Sequence, residues 1–74
     1  ADPSDVDAAL ECADLDISGG HVDDAFARLI ATLTKVAGDD KERVRKRILE
    51  LFEAVGPSDP RVTQARGKLM RALF

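Results

Sequence analysis

The sequence is poor in the residues that build disulfides, metal centres and aromatic surfaces. Its 74 residues include one cysteine, one histidine and three phenylalanines, with no tryptophan or tyrosine. A single cysteine forms no internal disulfide, and no Cys-x-x-Cys or Cys/His cluster is present for zinc or redox chemistry. We therefore predict a chain without cofactor, metal or catalysis, in which Cys12 is a small core residue.

Long apolar runs are missing as well. No segment approaches the ~20 apolar residues of a membrane span, and no signal-peptide pattern is present. One free thiol is consistent with a reducing compartment, so we expect a cytoplasmic protein. The chain starts with Ala-Asp-Pro instead of methionine. Since it is also short for an independent core, we interpret residues 1–74 as one domain cut from a longer protein.

What the chain does contain is apolar residues at helical spacing. The first such stripe has a period near 3.6 residues: Val6, Ala9, Leu10, Ala13 and Ile17. Similar stripes follow, and together they predict four helices and no strand. We place these helices at about 3–17, 22–37, 39–55 and 60–74.

Glycine, proline and aspartate punctuate these helices. Gly19-Gly20, Gly38 and Gly56 are expected to end the first three, because glycine accepts the left-handed conformation of a helix stop. The third helix is predicted to open with a capping box from Asp39 to Glu42. For the fourth helix, Asp59 is the expected N-cap and Pro60 the first residue. Gly67 lies inside that helix, either at a close helix contact or as a tolerated weak point.

Short connections make successive helices antiparallel neighbours, so the fold class is all-α, with two helical hairpins. Gly20 and Gly56 lie 36 residues apart, near the ~34-residue period of tetratricopeptide repeats. In the first hairpin, Ala13 precedes the turn, Ala25 follows twelve residues later, and Leu29 comes one helical turn on. This pattern of small, turn and large apolar residues resembles the tetratricopeptide motif.

Residues 44–74 resemble a narrower family. The segment "ELFEAVGPSDP", followed by a helix that ends in "LF", is similar to the C-terminal end of thioredoxin-like co-chaperones of the chaperedoxin, or YbbN, type. The residues that carry the resemblance are Leu49, Glu50, Leu51, Phe52, Glu53, Gly56, Pro57, Asp59, Pro60, Val62, Arg66, Leu69, Leu73 and Phe74. The resemblance implies a tetratricopeptide-like arm that binds unfolded clients or chaperone partners. It also implies an N-terminal thioredoxin fold, absent from these residues, in the parent protein.

Two charged stripes are candidate binding residues. Residues 1–38 hold eight acidic and two basic residues, whereas residues 39–74 hold six acidic and nine basic ones. If the hairpins stack, the first and third helices lie side by side, and an acidic stripe faces a largely basic one. The stripes are either a polar groove for a polypeptide or ordinary solvated faces with weak ion pairs. Their members are Asp7, Glu11, Asp14, Arg43, Lys46, Arg47 and Glu50.

The end of the fourth helix is a candidate docking site. A two-hairpin stack leaves its end faces apolar unless another helix covers them. Leu73 and Phe74 are therefore expected to dock the upstream domain of the same chain or to form a homodimer.

Two other functions remain open from the residues alone. The chain could be a helical regulatory or dimerisation domain of a larger enzyme, with charges that serve only solubility. The basic run at 41–47, "KERVRKR", could contact nucleic acid. The lack of interleaved aromatics for stacking and the acidic first half both argue against that possibility.

Overall fold

The four predicted helices are all present. A computed structural model describes residues 6–73, and within that range the chain is all-α without a strand. The helices are α1 (Val6–Ser18), α2 (Val22–Leu33), α3 (Gly38–Val55) and α4 (Pro60–Leu73). The predicted start of the first helix at residue 3 and the predicted end at Phe74 lie outside the described residues.

The first turn is built from glycine, as the sequence indicated. Gly20 has a φ of +82° and its N–H donates to the Ile17 carbonyl at 3.1 Å. The next N–H, from His21, donates to the Asp16 carbonyl at 2.7 Å. These two bonds form a Schellman motif, which satisfies carbonyls at the end of α1 and reverses the chain.

The second turn differs from its prediction. Helix α2 ends at Leu33 instead of Ala37, and Gly38 begins α3, with a φ of +62°, instead of closing α2. The Thr34 hydroxyl donates to the Ala31 carbonyl at 2.7 Å, and the Lys35 N–H donates to the Thr32 carbonyl at 2.9 Å. The Thr34 side-chain bond competes with helix propagation, and the Lys35 backbone bond closes a tighter i,i+3 turn, which together explain the early end.

The predicted capping box at the start of α3 is wrong. Ala37 occupies the N-cap position in an extended conformation, without a side-chain cap bond. Asp39 therefore lies inside the first turn, where its charge still favours the helix dipole. The Glu42 carboxylate accepts hydrogen bonds from Arg45 instead of reaching back. This carboxylate has an arginine one turn ahead of it, and that guanidinium is the stronger donor.

The third turn confirms its prediction. Gly56 caps α3 with a φ of +122°, and its N–H donates to the Phe52 carbonyl at 3.0 Å. The Asp59 carboxylate accepts the Arg61 N–H at 2.8 Å, so Asp59 is the N-cap of α4 and Pro60 its first residue. Proline is well suited to this position because its missing N–H has no helical partner there.

The helices form two layers around one core. Helix α2 packs against the other three helices, and α1 also packs against α3. The Cα atoms extend over 31 × 28 × 15 Å. Fourteen apolar side chains are buried in one cluster: Val6, Ala13, Val22, Ala25, Phe26, Leu29, Leu33, Val44, Ile48, Leu51, Phe52, Val62, Ala65 and Leu69.

The core extends from one hairpin to the other through aromatic side chains. The rings of Phe26 in α2 and Phe52 in α3 are 5.2 Å apart and tilted by 60°. The Arg66 guanidinium of α4 lies 5.5 Å from the centre of the Phe52 ring, at cation–π distance. At Gly67, one residue further, a Cβ would meet no atom within 4 Å, so no neighbouring helix requires a glycine there. Gly67 is therefore not a close helix contact.

Candidate polypeptide-binding surface

The acidic stripe of α1 and the basic stripe of α3 lie side by side, as predicted. Asp7 of α1 is ion-paired with Arg43 of α3, and Asp14 of α1 with Arg47 of α3. Residue numbers increase together along both helices, so α1 and α3 run parallel. This is the arrangement expected of the first helices of two stacked hairpins.

Arg43 also contacts a carboxylate of its own helix, α3. The Arg43 Nη1 lies 3.5 Å from the Asp40 carboxylate, in addition to the bond from Nη2 to Asp7. The hydrogen bond to Asp7, helped by the charge of that carboxylate, raises the pKa of the Arg43 guanidinium. Val44 and Ile48, which follow the two arginines, are fully buried. These core residues fix α3 so that its arginines point along the surface towards α1.

Three of the predicted binding residues form no such ion pair within residues 6–73. Glu11, Lys46 and Glu50 are exposed, and the structure gives none of them an ion-pair partner among residues 6–73. Glu11 lies one turn from Asp7 and one turn from Asp14 on the same side of α1. The surface thus presents two ion pairs together with acidic and basic side chains that have no ion-pair partner among residues 6–73. We call the seven residues Asp7, Glu11, Asp14, Arg43, Lys46, Arg47 and Glu50 the α1–α3 surface.

An exposed leucine extends this surface along α1. Leu15 has 71% of its side chain accessible, and it lines a shallow depression of about 390 Å³ together with Glu11, Asp14 and Ser18. The sequence-based prediction did not include Leu15, because on α1 it considered as apolar residues only those of the predicted buried stripe. The signal was available, since an apolar residue one turn beyond Glu11 lies on the same helix side as the acidic stripe.

The basic run at 41–47 is largely neutralised by neighbouring carboxylates. Arg43 and Arg47 are paired across to α1, while Arg45 is paired with Glu42 within α3. The hydrogen bond from Arg45 lowers the pKa of the Glu42 carboxyl. Three of the five basic side chains in the run therefore already have anionic partners in the fold, which weakens the case for a phosphate-binding patch.

Two further ion pairs hold elements in place on other sides of the molecule. Arg28 of α2 donates from Nε to the Asp16 carboxylate of α1 at 3.1 Å. Arg61 donates from its backbone and its side chain to Asp59, and these bonds lower the pKa of the Asp59 carboxyl to about 2. The sequence marked Asp59 as a cap, but it did not indicate that the same carboxylate would bind a guanidinium.

The end of α4 is only partly available for docking. Leu73 is half-buried against the core, and Phe74 lies outside the described residues. Met70, one turn earlier, is the more prominent apolar side chain, with 56% of it exposed. No helix in the described part of the chain is long and apolar enough to cross a membrane.

Chemically, the α1–α3 surface offers charged hydrogen-bond donors and acceptors beside an exposed leucine. Guanidinium and ammonium groups donate to backbone or side-chain oxygens, and the Glu11 and Glu50 carboxylates accept from N–H groups. Among residues 6–73 no three histidine, cysteine or acidic side chains come together as metal ligands do.

Comparisons with known proteins agree with this architecture. Over 70 residues the chain is 43% identical to the uncharacterized protein Rv1324 of Mycobacterium tuberculosis (strain ATCC 25618 / H37Rv). The same identity is found with the uncharacterized protein Mb1359 of Mycobacterium bovis (strain ATCC BAA-935 / AF2122/97). The match covers 95% of this chain but 23% of each relative, so the chain spans about a quarter of their length.

No solved structure gives a significant match to the chain. The family model described as "Tetratricopeptide repeat" matches residues 1–74, which is the whole sequence. Paired antiparallel helices, parallel first helices and the glycine turn between Ala13 and Ala25 are the features that such a repeat requires. The chain therefore belongs to the tetratricopeptide repeat family and is a module for protein–protein interaction.

Proposed function

We propose that this chain is the polypeptide-binding arm of a thioredoxin-like co-chaperone, and that its α1–α3 surface holds segments of unfolded client proteins or of a chaperone partner. The observation that carries the proposal is the solvent-open row of charges on the parallel helices α1 and α3, in which Glu11, Lys46 and Glu50 have no ion-pair partner among residues 6–73. In this proposal the arm is cytoplasmic and performs no catalysis.

The co-chaperone context is supported by sequence. Residues 50–60, which carry the "ELFEAVGPSDP" pattern, resemble the end of that family, and here they form the end of α3, the third turn and the start of α4. More than three quarters of each relative lies outside the matched segment. A thioredoxin fold of ~100 residues, a typical domain size, fits within that length. Leu73 and Phe74 are the residues to which we assign docking of that upstream domain.

The ion pairs suit a surface that binds and releases. The side chains of Asp7, Arg43 and Arg47 are between 34% and 82% exposed, so water and salt screen their attraction. Such pairs exchange partners readily, and an incoming peptide carbonyl or carboxylate can take one arginine donor at a time. Leu15 provides an apolar contact for the side chains that unfolded clients expose.

The experiment uses the isotopically labelled chain and a permanently unfolded client, such as a reduced and carboxymethylated reporter protein. We expect amide shifts in nuclear magnetic resonance spectra to concentrate on α1 and α3, together with a lower affinity at high salt. A combined Glu11→Lys and Lys46→Glu variant should weaken binding by about tenfold, a loss of ~1.4 kcal/mol of binding free energy.

The matched control exchanges charges elsewhere. Asp24→Lys on α2 with Lys35→Glu in the turn after α2 makes the same two kinds of charge change at exposed positions outside the α1–α3 surface. This control should bind the unfolded client as the native chain does. Shifts spread evenly over all four helices, or equal losses in the two variants, would count against the assignment.

A further inference from the structure

The two outer helices of the fold carry opposite charge. Helix α1 has four acidic residues and no basic one, whereas α4 has four basic residues and no acidic one. Both helices pack on α2, but they do not pack closely on each other. Within one chain, then, most of this opposite charge is not brought together.

On α1, an acidic and apolar patch faces solvent. Glu11, Leu15 and Ser18 follow one another at spacings of four and three residues, which places them on one side of the helix. All three are exposed, and they line the depression of about 390 Å³. Glu11 has no ion-pair partner among residues 6–73, unlike Asp7 and Asp14 on either side of it. We call these three residues the α1 patch.

On α4, a basic and apolar patch also faces solvent. Met70 and Arg71 follow Gly67 at spacings of three and four residues, so both neighbour it on one side of the helix. Met70 is 56% exposed, and a Cβ at Gly67 would meet no atom within 4 Å, so the helix surface beside Met70 is open. Arg71 is exposed and has no ion-pair partner in the described part of the chain. We call these residues the α4 patch.

The chain already uses acidic–basic helix recognition internally. The Asp7–Arg43 and Asp14–Arg47 pairs join acidic α1 to basic α3 over apolar neighbours. The α1 and α4 patches have the same complementary chemistry, with one apolar side chain and one free charge on each. Glycine at position 67 lets another helix approach the α4 backbone more closely than a larger residue would.

We propose that the α4 patch of one copy docks on the α1 patch of a second copy. Met70 enters the depression beside Leu15, and Arg71 pairs with Glu11. Because the two patches differ, the contact is head-to-tail, and an open assembly keeps one free α1 patch at one end and one free α4 patch at the other. The module therefore assembles into short, concentration-dependent linear assemblies or closed rings.

The first test is sedimentation equilibrium of the chain alone from about 10 µM to about 1 mM, a range that detects weak association. We expect the average mass to rise with concentration and to fall towards that of the monomer at high salt, because the contact contains exposed charges. A strict monomer at about 1 mM and low salt would overturn the proposal, and it would be the result expected if another segment of a longer parent occupies these faces.

The second test uses complementary charge reversals. Glu11→Lys retains an intact α4 patch, and Arg71→Glu retains an intact α1 patch, so each variant alone should be monomeric. An equimolar mixture should regain association beyond a dimer, with the two variants alternating, because the native Arg71–Glu11 contact and the reversed contact can both form between unlike copies. The double variant in a single chain should regain association. Failure of the mixture to associate, or association of either variant alone as in the wild type, would contradict a head-to-tail contact.

Two controls separate this contact from general charge and folding effects. Asp24→Lys on α2 and Lys35→Glu in the turn after α2 make matching reversals at exposed positions outside the patches, and both should associate as the wild type does. Met70→Ala should weaken association by about tenfold while circular dichroism stays unchanged, because the side chain is mostly exposed. Client binding, measured at concentrations where the chain is monomeric, reports on the proposed function separately.

Discussion

The two hairpins of this molecule differ in how closely their two helices pack against each other. Helices α1 and α2 pack closely along their length, around the fully buried Ala13 and Ala25. Helices α3 and α4 are not closely packed, and Arg66 reaches Phe52 across the space between them. Side-chain size explains the difference, because alanine lets two backbones approach while a phenylalanine with an arginine over its ring holds them apart.

The looser hairpin depends on the tighter one. Helix α4 buries Val62, Ala65 and Leu69, and its close packing partner is α2 instead of its own hairpin neighbour. Phe52 likewise contacts Phe26 of α2. The second hairpin is therefore held together largely by docking on the first, as expected when stacked repeats share one core.

Removal of the aromatic contact should give the largest effect. Phe52→Ala deletes a side chain that is 2% exposed and joins both hairpins. We expect a loss of about 3–5 kcal/mol in the free energy of unfolding, comparable to the whole stability of so small a domain. Urea titration followed by circular dichroism measures the change. Phe52→Leu is the control, with a smaller loss; a Phe52→Ala variant as stable as the wild type would show that the hairpins do not depend on this contact.

An enlarged residue at the tight interface tests the comparison directly. Ala13→Leu should cost about 1–3 kcal/mol, because no space is available for the added atoms between α1 and α2. The matched change in the second hairpin is Ala54→Leu, at an exposed position of α3 where we expect almost no loss. Thermal unfolding of both variants compares them, and equal melting temperatures would argue that the first hairpin is not the tighter one.

The smallest expected effect concerns the cap of the looser hairpin. Hydrogen bonds from Arg61 lower the pKa of Asp59 from 3.8 to about 2 in the folded chain. The contribution of the ionised Asp59 to stability is therefore present above pH ~4, and it is lost as the pH falls through about 2. Asp59→Asn keeps a capping oxygen without the charge.

The measurement is the difference in melting temperature between wild type and Asp59→Asn, followed from pH 7 to pH 2. We expect the wild type to be the more stable at neutral pH and the difference to shrink between pH 4 and pH 2. The other carboxylates are common to both proteins, so the difference isolates Asp59. A constant difference across that range would show that the carboxylate charge does not support the cap.

Local signals in the sequence determined most of the helical architecture. Glycines 20 and 56 and the Asp59-Pro60 pair act within one turn of the chain, and each stands at the helix end that it predicted. The apolar stripes predicted most of the core residues, because helical periodicity determines which side chains share a face of a helix. The same periodicity placed the acidic and basic stripes on α1 and α3, whose role in binding polypeptides remains a proposal.

Where local signals competed, the tertiary structure decided. From the sequence, Gly38 could end α2 or begin α3. Leu33 and Val44 pack into one core, and the position of Gly38 between them follows from that packing. Asp39 was an acceptable cap, yet Ala37 took that position. The distance between α3 and α4, the choice of Asp7 and Asp14 as arginine partners, and the exposure of Leu15 and Met70 all depend on contacts between distant residues. A periodic pattern fixes which way a side chain points along its own helix, but only the packing of whole helices fixes what that side chain meets.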